Sequence, residues 1–186
     1  NDYHLYFDAW WQRDTESMLK RDRNHPSVIM WSIGNEVVET FEKSDGALWS
    51  QRQAEFVRSL DATRPVTQGI RMMFEEIFAR MAEFGATSMD EALNLPDPDP
   101  ATESWGRRSA TFVQPLDVVG YNYLPHRYDY DREEYPERVI CGTETFPHRA
   151  FAFWDATLRN PNVIGDFVWT AIDYLGESGV AQVSID

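Results

Sequence analysis

Val28-Ile-Met-Trp-Ser-Ile33, followed at once by Gly34, Asn35 and Glu36, is the stretch on which the fold turns. A run this apolar on both faces is what a strand buried on both sides of a parallel sheet requires. Upstream of it, residues 5 to 23 carry Phe7, Trp10, Trp11 and Met18 at helical spacing with charges between them, which predicts an amphipathic helix. Asn24-His25-Pro26 ends that helix, because a residue before proline avoids the helical region. Downstream, residues 46 to 60 read as a helix with Leu48, Trp49, Phe56, Val57 and Leu60 on one side. Arg64 to Ile70 reads as a short strand, and Phe74, Ile77, Phe78 and Met81 mark another helix. Residues 94 to 106 are rich in Pro and Asp and are expected to be loop. Asp117 to Tyr123, Arg138 to Thr143 and Val163 to Ala171 supply three more strands, with a helix over 149 to 159 between the last two.

Strands alternating with helices predict βαβ units and a parallel sheet, an α/β fold. The sequence has no internal repeat, and no G-x-G-x-x-G turn opens a helix, which argues against a dinucleotide-binding sheet. The other common home for such a pattern is a (β/α)8 TIM barrel, which needs about 250 residues. The 186 residues hold five strands. They are therefore expected to form an incomplete barrel, about strands 4–8 with their helices, in one partial domain over residues 1–186. Asn1-Asp-Tyr-His and Val183-Ser-Ile-Asp186 both read as cuts inside a longer protein.

Hydrophobic residues make up 42% and charged residues 26%, enough apolar surface to offset the entropy of ordering. Only Cys141 is present, so a disulfide scaffold is excluded, and one thiol fits a reducing, cytoplasmic setting. The 17 Lys and Arg against 31 Asp and Glu give a formal charge of -14. A field of that sign repels phosphate backbones and anionic lipid, so neither nucleic acid nor a membrane is the expected partner. No apolar run approaches the length of a membrane span.

In a barrel the reactive groups sit at the C-terminal ends of the strands. Glu36 follows the first strand, Glu144 follows the fourth, Tyr123 closes the third and Trp169 lies near the end of the fifth. Two carboxyls at two strand ends are what glycoside hydrolysis needs: one protonates the leaving oxygen, the other attacks the anomeric carbon or activates water. Strand parity puts Ser32, Gly34 and Glu36 on one side, and Ile140, Gly142 and Glu144 on one side. A small residue below each Glu suits a crowded interior. Asn35 falls on the opposite parity, so a bulge or turn must redirect it. Taken singly, each of these residues has an ordinary structural explanation, as a helix cap, a surface charge or a core aromatic. It is the set that points to a site.

Arg21-Asp-Arg-Asn-His-Pro-Ser-Val-Ile-Met-Trp-Ser-Ile-Gly-Asn-Glu36 is similar to the acid/base signature of glycoside hydrolase family 2, the β-galactosidase, β-glucuronidase and β-mannosidase family. Pro65-Val-Thr-Gln68, Asp117 to Tyr123, Cys141-Gly-Thr-Glu144 and Gly165 to Glu177 follow in the family's order, and the last stretch resembles its bacterial β-galactosidase-like branch. The resemblance is weakest from about residue 72 to 115.

What the resemblance implies is a retaining β-glycosidase, β-galactosides first among its substrates, with β-glucuronidase or β-mannosidase specificity as the alternatives. Glu36 would be the general acid/base, Glu144 the nucleophile, and Asn35 the partner of the sugar 2-hydroxyl. Tyr123 would hold the nucleophile ionised and oriented, and Trp169 would wall the sugar. A retaining enzyme needs one carboxyl protonated and one ionised at neutral pH, so their surroundings must differ. In well-known β-galactosidases a His follows soon after the nucleophile; here the run is Glu144-Thr-Phe-Pro-His148. Some members bind Mg²⁺ beside the acid/base, partly through residues upstream of position 1. The four His show no ligand spacing, and Asp97 and Asp99 between prolines read as a solvated linker, so no metal or other cofactor is expected.

Two other classes compete. A non-catalytic carbohydrate-binding relative would keep the aromatic wall without turnover, which the retention of both Glu36 and Glu144 disfavours. Nucleophilic hydrolysis through Ser lacks a G-x-S-x-G elbow, and Cys141 reads as a small buried strand residue. The expected partners are a carbohydrate substrate and further domains of the same parent chain. Five strands would leave two open sheet edges, so the chain alone is expected to turn over little, and pairing into a homo-oligomer through those edges stays open.

Overall fold

The computed structural model of the chain describes residues 2–41, 44–72, 74–88, 91 and 105–170. Five strands, β1 (Trp31–Asn35), β2 (Val66–Ile70), β3 (Val118–Asn122), β4 (Ile140–Thr145) and β5 (Val163–Val168), alternate with helices. The helices are α1 (Phe7–Asp22), α2 (Gly46–Leu60), α3 (Phe74–Phe84), α4 (Trp105–Val113), α5 (Tyr128–Glu134) and α6 (Ala150–Arg159). The strands lie in one sheet in the order β1-β2-β3-β4-β5, and the pairs β1/β2 and β4/β5 run parallel. Spatial order that follows chain order, with no reversal, is the arrangement of a barrel; a doubly wound sheet reverses at a switch point. The expected partial α/β barrel is therefore the observed fold. No described helix is long and apolar enough to cross a membrane.

The chain divides into two compact units, residues 1–70 with 103–119, and residues 71–102 with 120–186. In the first, Leu19 of α1, Trp31 of β1, Ala54 and Val57 of α2 and Val66 of β2 form one buried cluster. Trp11 of α1 packs edge-on against Trp49 and Phe56 of α2, which is where the aromatic stripe of the first helix is spent. Gly46 opens α2 because a Cβ there would overlap the Glu39 carbonyl of the preceding turn. In the second unit Tyr121, Leu124, Tyr128, Ile140, Cys141 and Phe153 are all buried.

Three expectations need correction. The first strand begins at Trp31, three residues later than the apolar run. Val28 donates its N–H to the His25 carbonyl and its own carbonyl accepts from Arg64 Nε at 2.7 Å, so the chain before Trp31 is committed to a turn and a side-chain contact. The ladder starts where Trp31 N–H reaches the Pro65 carbonyl at 2.9 Å. Trp105 and Gly106, expected in the loop, open α4, whose Trp105, Ser109, Phe112 and Val113 are buried at helical spacing. Glu144, expected just past the fourth strand, lies inside β4. The short helix α5 was not expected either; its seven residues carry only Tyr128 and Asp131 inward, too little for a periodic signal. Asp97, Asp99, Ala171 and Glu177 fall outside the described residues.

Candidate active site

In the first unit, β1 ends in Asn35, and Glu36 follows it. The pairing of β1 with β2 runs Trp31↔Val66, Ser32↔Thr67, then Asn35↔Gly69, so β1 carries one extra residue between Ser32 and Asn35. That shift is the irregularity the parity of Asn35 demands. With Gly34 it lines a cavity of about 640 Å³ that Phe7 of α1, Trp49 of α2 and Gln68 of β2 also border. Gly34 is small for a reason: a Cβ would stand 2.8 Å from Gln68 Nε2. Glu36 leaves the strand with φ +52°, in the left-handed region, while its N–H still donates to the Gly69 carbonyl at 2.9 Å. A side-chain-bearing residue held there costs about 1 kcal/mol or more and is found where surrounding structure over-determines it, often at functional sites.

The second unit brings Tyr123 and Glu144 together, with the Trp169 backbone tied to Thr145, the residue after Glu144. The Tyr123 hydroxyl donates to Glu144 Oε2 at 2.9 Å, and the Tyr123 N–H donates to the Glu144 carbonyl at 2.9 Å. Tyr123 also takes a left-handed turn, φ +60°, as it leaves β3. Phe146 stacks on the Tyr123 ring at 4.3 Å and His148 stacks on Phe146 at 5.5 Å. The place of His148 is therefore the outer ring of an aromatic stack on Tyr123. Trp169 donates its backbone N–H to the Thr145 carbonyl at 2.9 Å and is 48% exposed.

Cys141 is buried on β4. Burial first, then the Asp166 carboxylate, pushes its thiol up to about 11. A buried thiol held protonated in this way is a poor nucleophile, which argues against the cysteine alternative. Among the described residues no group of three His, Cys, Asp or Glu is placed to hold a metal ion.

Asp166 of β5 is a further acid on the strand beside Glu144, and no sequence pattern marks it as part of a site. Its carboxyl accepts from Thr145 Oγ1 at 2.5 Å, and burial raises it above the usual carboxylate range, partly offset by that hydrogen bond. The available signal was a lone acid within Val163-Ile-Gly-Asp-Phe-Val168, an otherwise apolar run. Gln68, polar yet 2% exposed in the middle of β2, is the equivalent in the first unit.

The family description "Glycosyl hydrolases family 2, TIM barrel domain" matches residues 6–115. The chain belongs to glycosyl hydrolase family 2. A glycosyl hydrolase family 2 member from Bacteroides cellulosilyticus superposes with a TM-score of 0.73 at 36% identity, over 96% of this chain and 20% of its own. The β-galactosidase BoGH2A of Bacteroides ovatus is 26% identical over 95% of this chain. A putative β-glucuronidase of Formosa agariphila is 29% identical over 95% of this chain. This family 2 chain spans only 26% and 18% of those two relatives.

Proposed function

We propose that this chain carries both catalytic carboxyls of a retaining β-glycosidase, with terminal β-galactosides as the first substrate class. The observation that carries the reading is the 2.9 Å hydrogen bond from the Tyr123 hydroxyl to Glu144, at neighbouring strand ends of a family 2 barrel. Glu144 attacks the anomeric carbon and forms a glycosyl ester while Glu36 gives its proton to the leaving oxygen. Glu36, now ionised, takes a proton from water, which attacks the same carbon and releases the sugar and Glu144. Asn35, which lines the cavity at the end of β1, binds the 2-hydroxyl. Trp169 offers its exposed ring to the apolar C–H face of the sugar, and Tyr123 fixes the rotamer of Glu144.

Azide separates the two carboxyls in the parent protein. Glu144→Ala should regain turnover with azide and yield the glycosyl azide of inverted anomeric configuration; no rescue removes Glu144 as nucleophile. Glu36→Ala should instead yield the azide of retained configuration. In an inhibitor complex of the parent protein the two carboxyls should stand about 5–5.5 Å apart, and a separation of about 6.5–9.5 Å would mean inversion. The relative from Formosa agariphila favours glucuronides as the second substrate class. A panel of aryl β-galactosides, β-glucuronides and β-mannosides decides between them, and a panel with no turnover at all leaves the non-catalytic carbohydrate binder.

A further inference from the structure

Gly142 lies two residues before Glu144 on β4, and it is a hollow with two tenants. A Cβ at Gly142 would overlap the Asp166 carboxylate and stand 2.9 Å from the Tyr128 hydroxyl. Asp166 pairs with Gly142 in the β4/β5 register, and the register shifts on both sides of that pair. The strands are therefore irregular where this carboxyl enters. Asp166 also accepts the hydroxyl hydrogen of Thr145, the residue next to Glu144 and fully buried. Thr145 in turn accepts the Trp169 N–H on its carbonyl. Tyr128, from α5, is fully buried, and its hydroxyl has no hydrogen-bond partner among the described residues. Partial burial of this carboxyl carries a desolvation cost, which its hydrogen bond from Thr145 partly offsets.

We infer that Asp166 is a positioning residue for Glu144: seated in the Gly142 hollow and gripping the Thr145 side chain, it fixes the end of β4 from which the nucleophile's side chain projects. It acts through backbone and hydroxyl and does not touch substrate. This rests on the assignment of Glu144 as nucleophile. Misplacing a reacting group by about 1 Å costs roughly 100-fold in rate. That loss falls on kcat, because the ground-state contacts of the sugar are elsewhere.

The test is steady-state kinetics of the parent enzyme on its best aryl glycoside, with Glu144→Ala and azide run alongside. Asp166→Ala should lower kcat about 100-fold with KM unchanged. Asp166→Asn, whose amide oxygen still accepts from Thr145, should recover most of the loss. Thr145→Val keeps the carboxyl and should reproduce the fall, so the link is tested even if Asp166→Ala fails to fold. The double variant should be no slower than the worse single, since both break one connection. Wild-type kcat in Asp166→Ala or in Thr145→Val, no recovery in Asp166→Asn, or losses that multiply in the double would each overturn the inference. If azide still rescues Glu144→Ala in that event, the nucleophile stands and only the role of Asp166 falls. Absence of azide rescue would overturn both.

Discussion

Tyr123 does two jobs at one position. Its left-handed backbone turns the chain out of β3, and its hydroxyl reaches the Glu144 carboxylate. Neither depends on the other chemically, so they can be separated by substitution. Tyr123→Phe keeps the ring and its stack on Phe146 and removes only the donor. A hydrogen bond to a charged group is worth about 1.5–3 kcal/mol, so kcat of the parent enzyme should fall roughly 10- to 100-fold. Unchanged thermal unfolding alongside that fall would place the effect in the site. Wild-type kcat would mean that Glu144 is oriented by other groups.

Individual elements are tied together by two buried carboxylates. Asp61, at the end of α2, accepts from the Thr63 hydroxyl and amide, the Trp31 indole at 3.0 Å and Arg64 at 2.8 Å. One side chain therefore links α2, β1 and the entry to β2. Those partners, the Thr63 hydroxyl foremost, hold the Asp61 carboxyl well below the usual carboxylate range. A folded-state value below the unfolded one stabilises the fold at every pH above about 3.9 and is lost as pH falls through the folded value. Melts of the chain followed by Trp fluorescence from pH 5 downward should show wild type losing stability relative to Asp61→Asn, the two curves converging in acid. Parallel curves would show that the charge of Asp61 does not matter.

The second carboxylate, Asp131 of α5, is fully buried against Arg127 at 2.7 Å and Arg138 at 3.5 Å, and it accepts from the Tyr121 hydroxyl. Removing one member of such a group leaves buried charge uncompensated, so Asp131→Ala should cost about 3–5 kcal/mol in denaturant unfolding. A loss below about 1 kcal/mol, the level of a surface pair, would mean that the arginines find water instead. Seven residues with weak periodicity make a stable helix here because this ion network anchors them from inside, which is also why α5 was illegible in the sequence.

At the scale of the molecule, a sheet ordered β1 to β5 has β1 and β5 at its edges. β5 shows what that costs: Ile164, Phe167 and Val168 are half-exposed, whereas every residue of β2 and β3 is buried. A closed (β/α)8 barrel has no such edges. The 186-residue chain on its own should therefore show turnover far below that of its parent protein, measured per mole on the same aryl glycoside. Equal rates would show that these five strands suffice for catalysis.

Much of this was present in the order of the amino acids. Alternating periods of apolar residues state how each segment must be buried, and burial demand is local information; hence five strands, α2 to the residue and the positions of Glu36 and Glu144 near strand ends. Asn35 even pointed to its bulge, because a two-residue period sets it on the face opposite Gly34 and Glu36, and the register does shift between Ser32 and Asn35. What only the tertiary structure decided are relations between segments far apart in sequence. The start of β1 was set by Pro65 and Arg64, some thirty residues away. The left-handed turns at Glu36 and Tyr123 are imposed by pairing across the sheet, since neither residue prefers that conformation by itself. Asp166 became visible only when β5 laid it into the space that Gly142 leaves on β4. Periodicity records which side of a residue is dry; which neighbour it meets there is settled by packing.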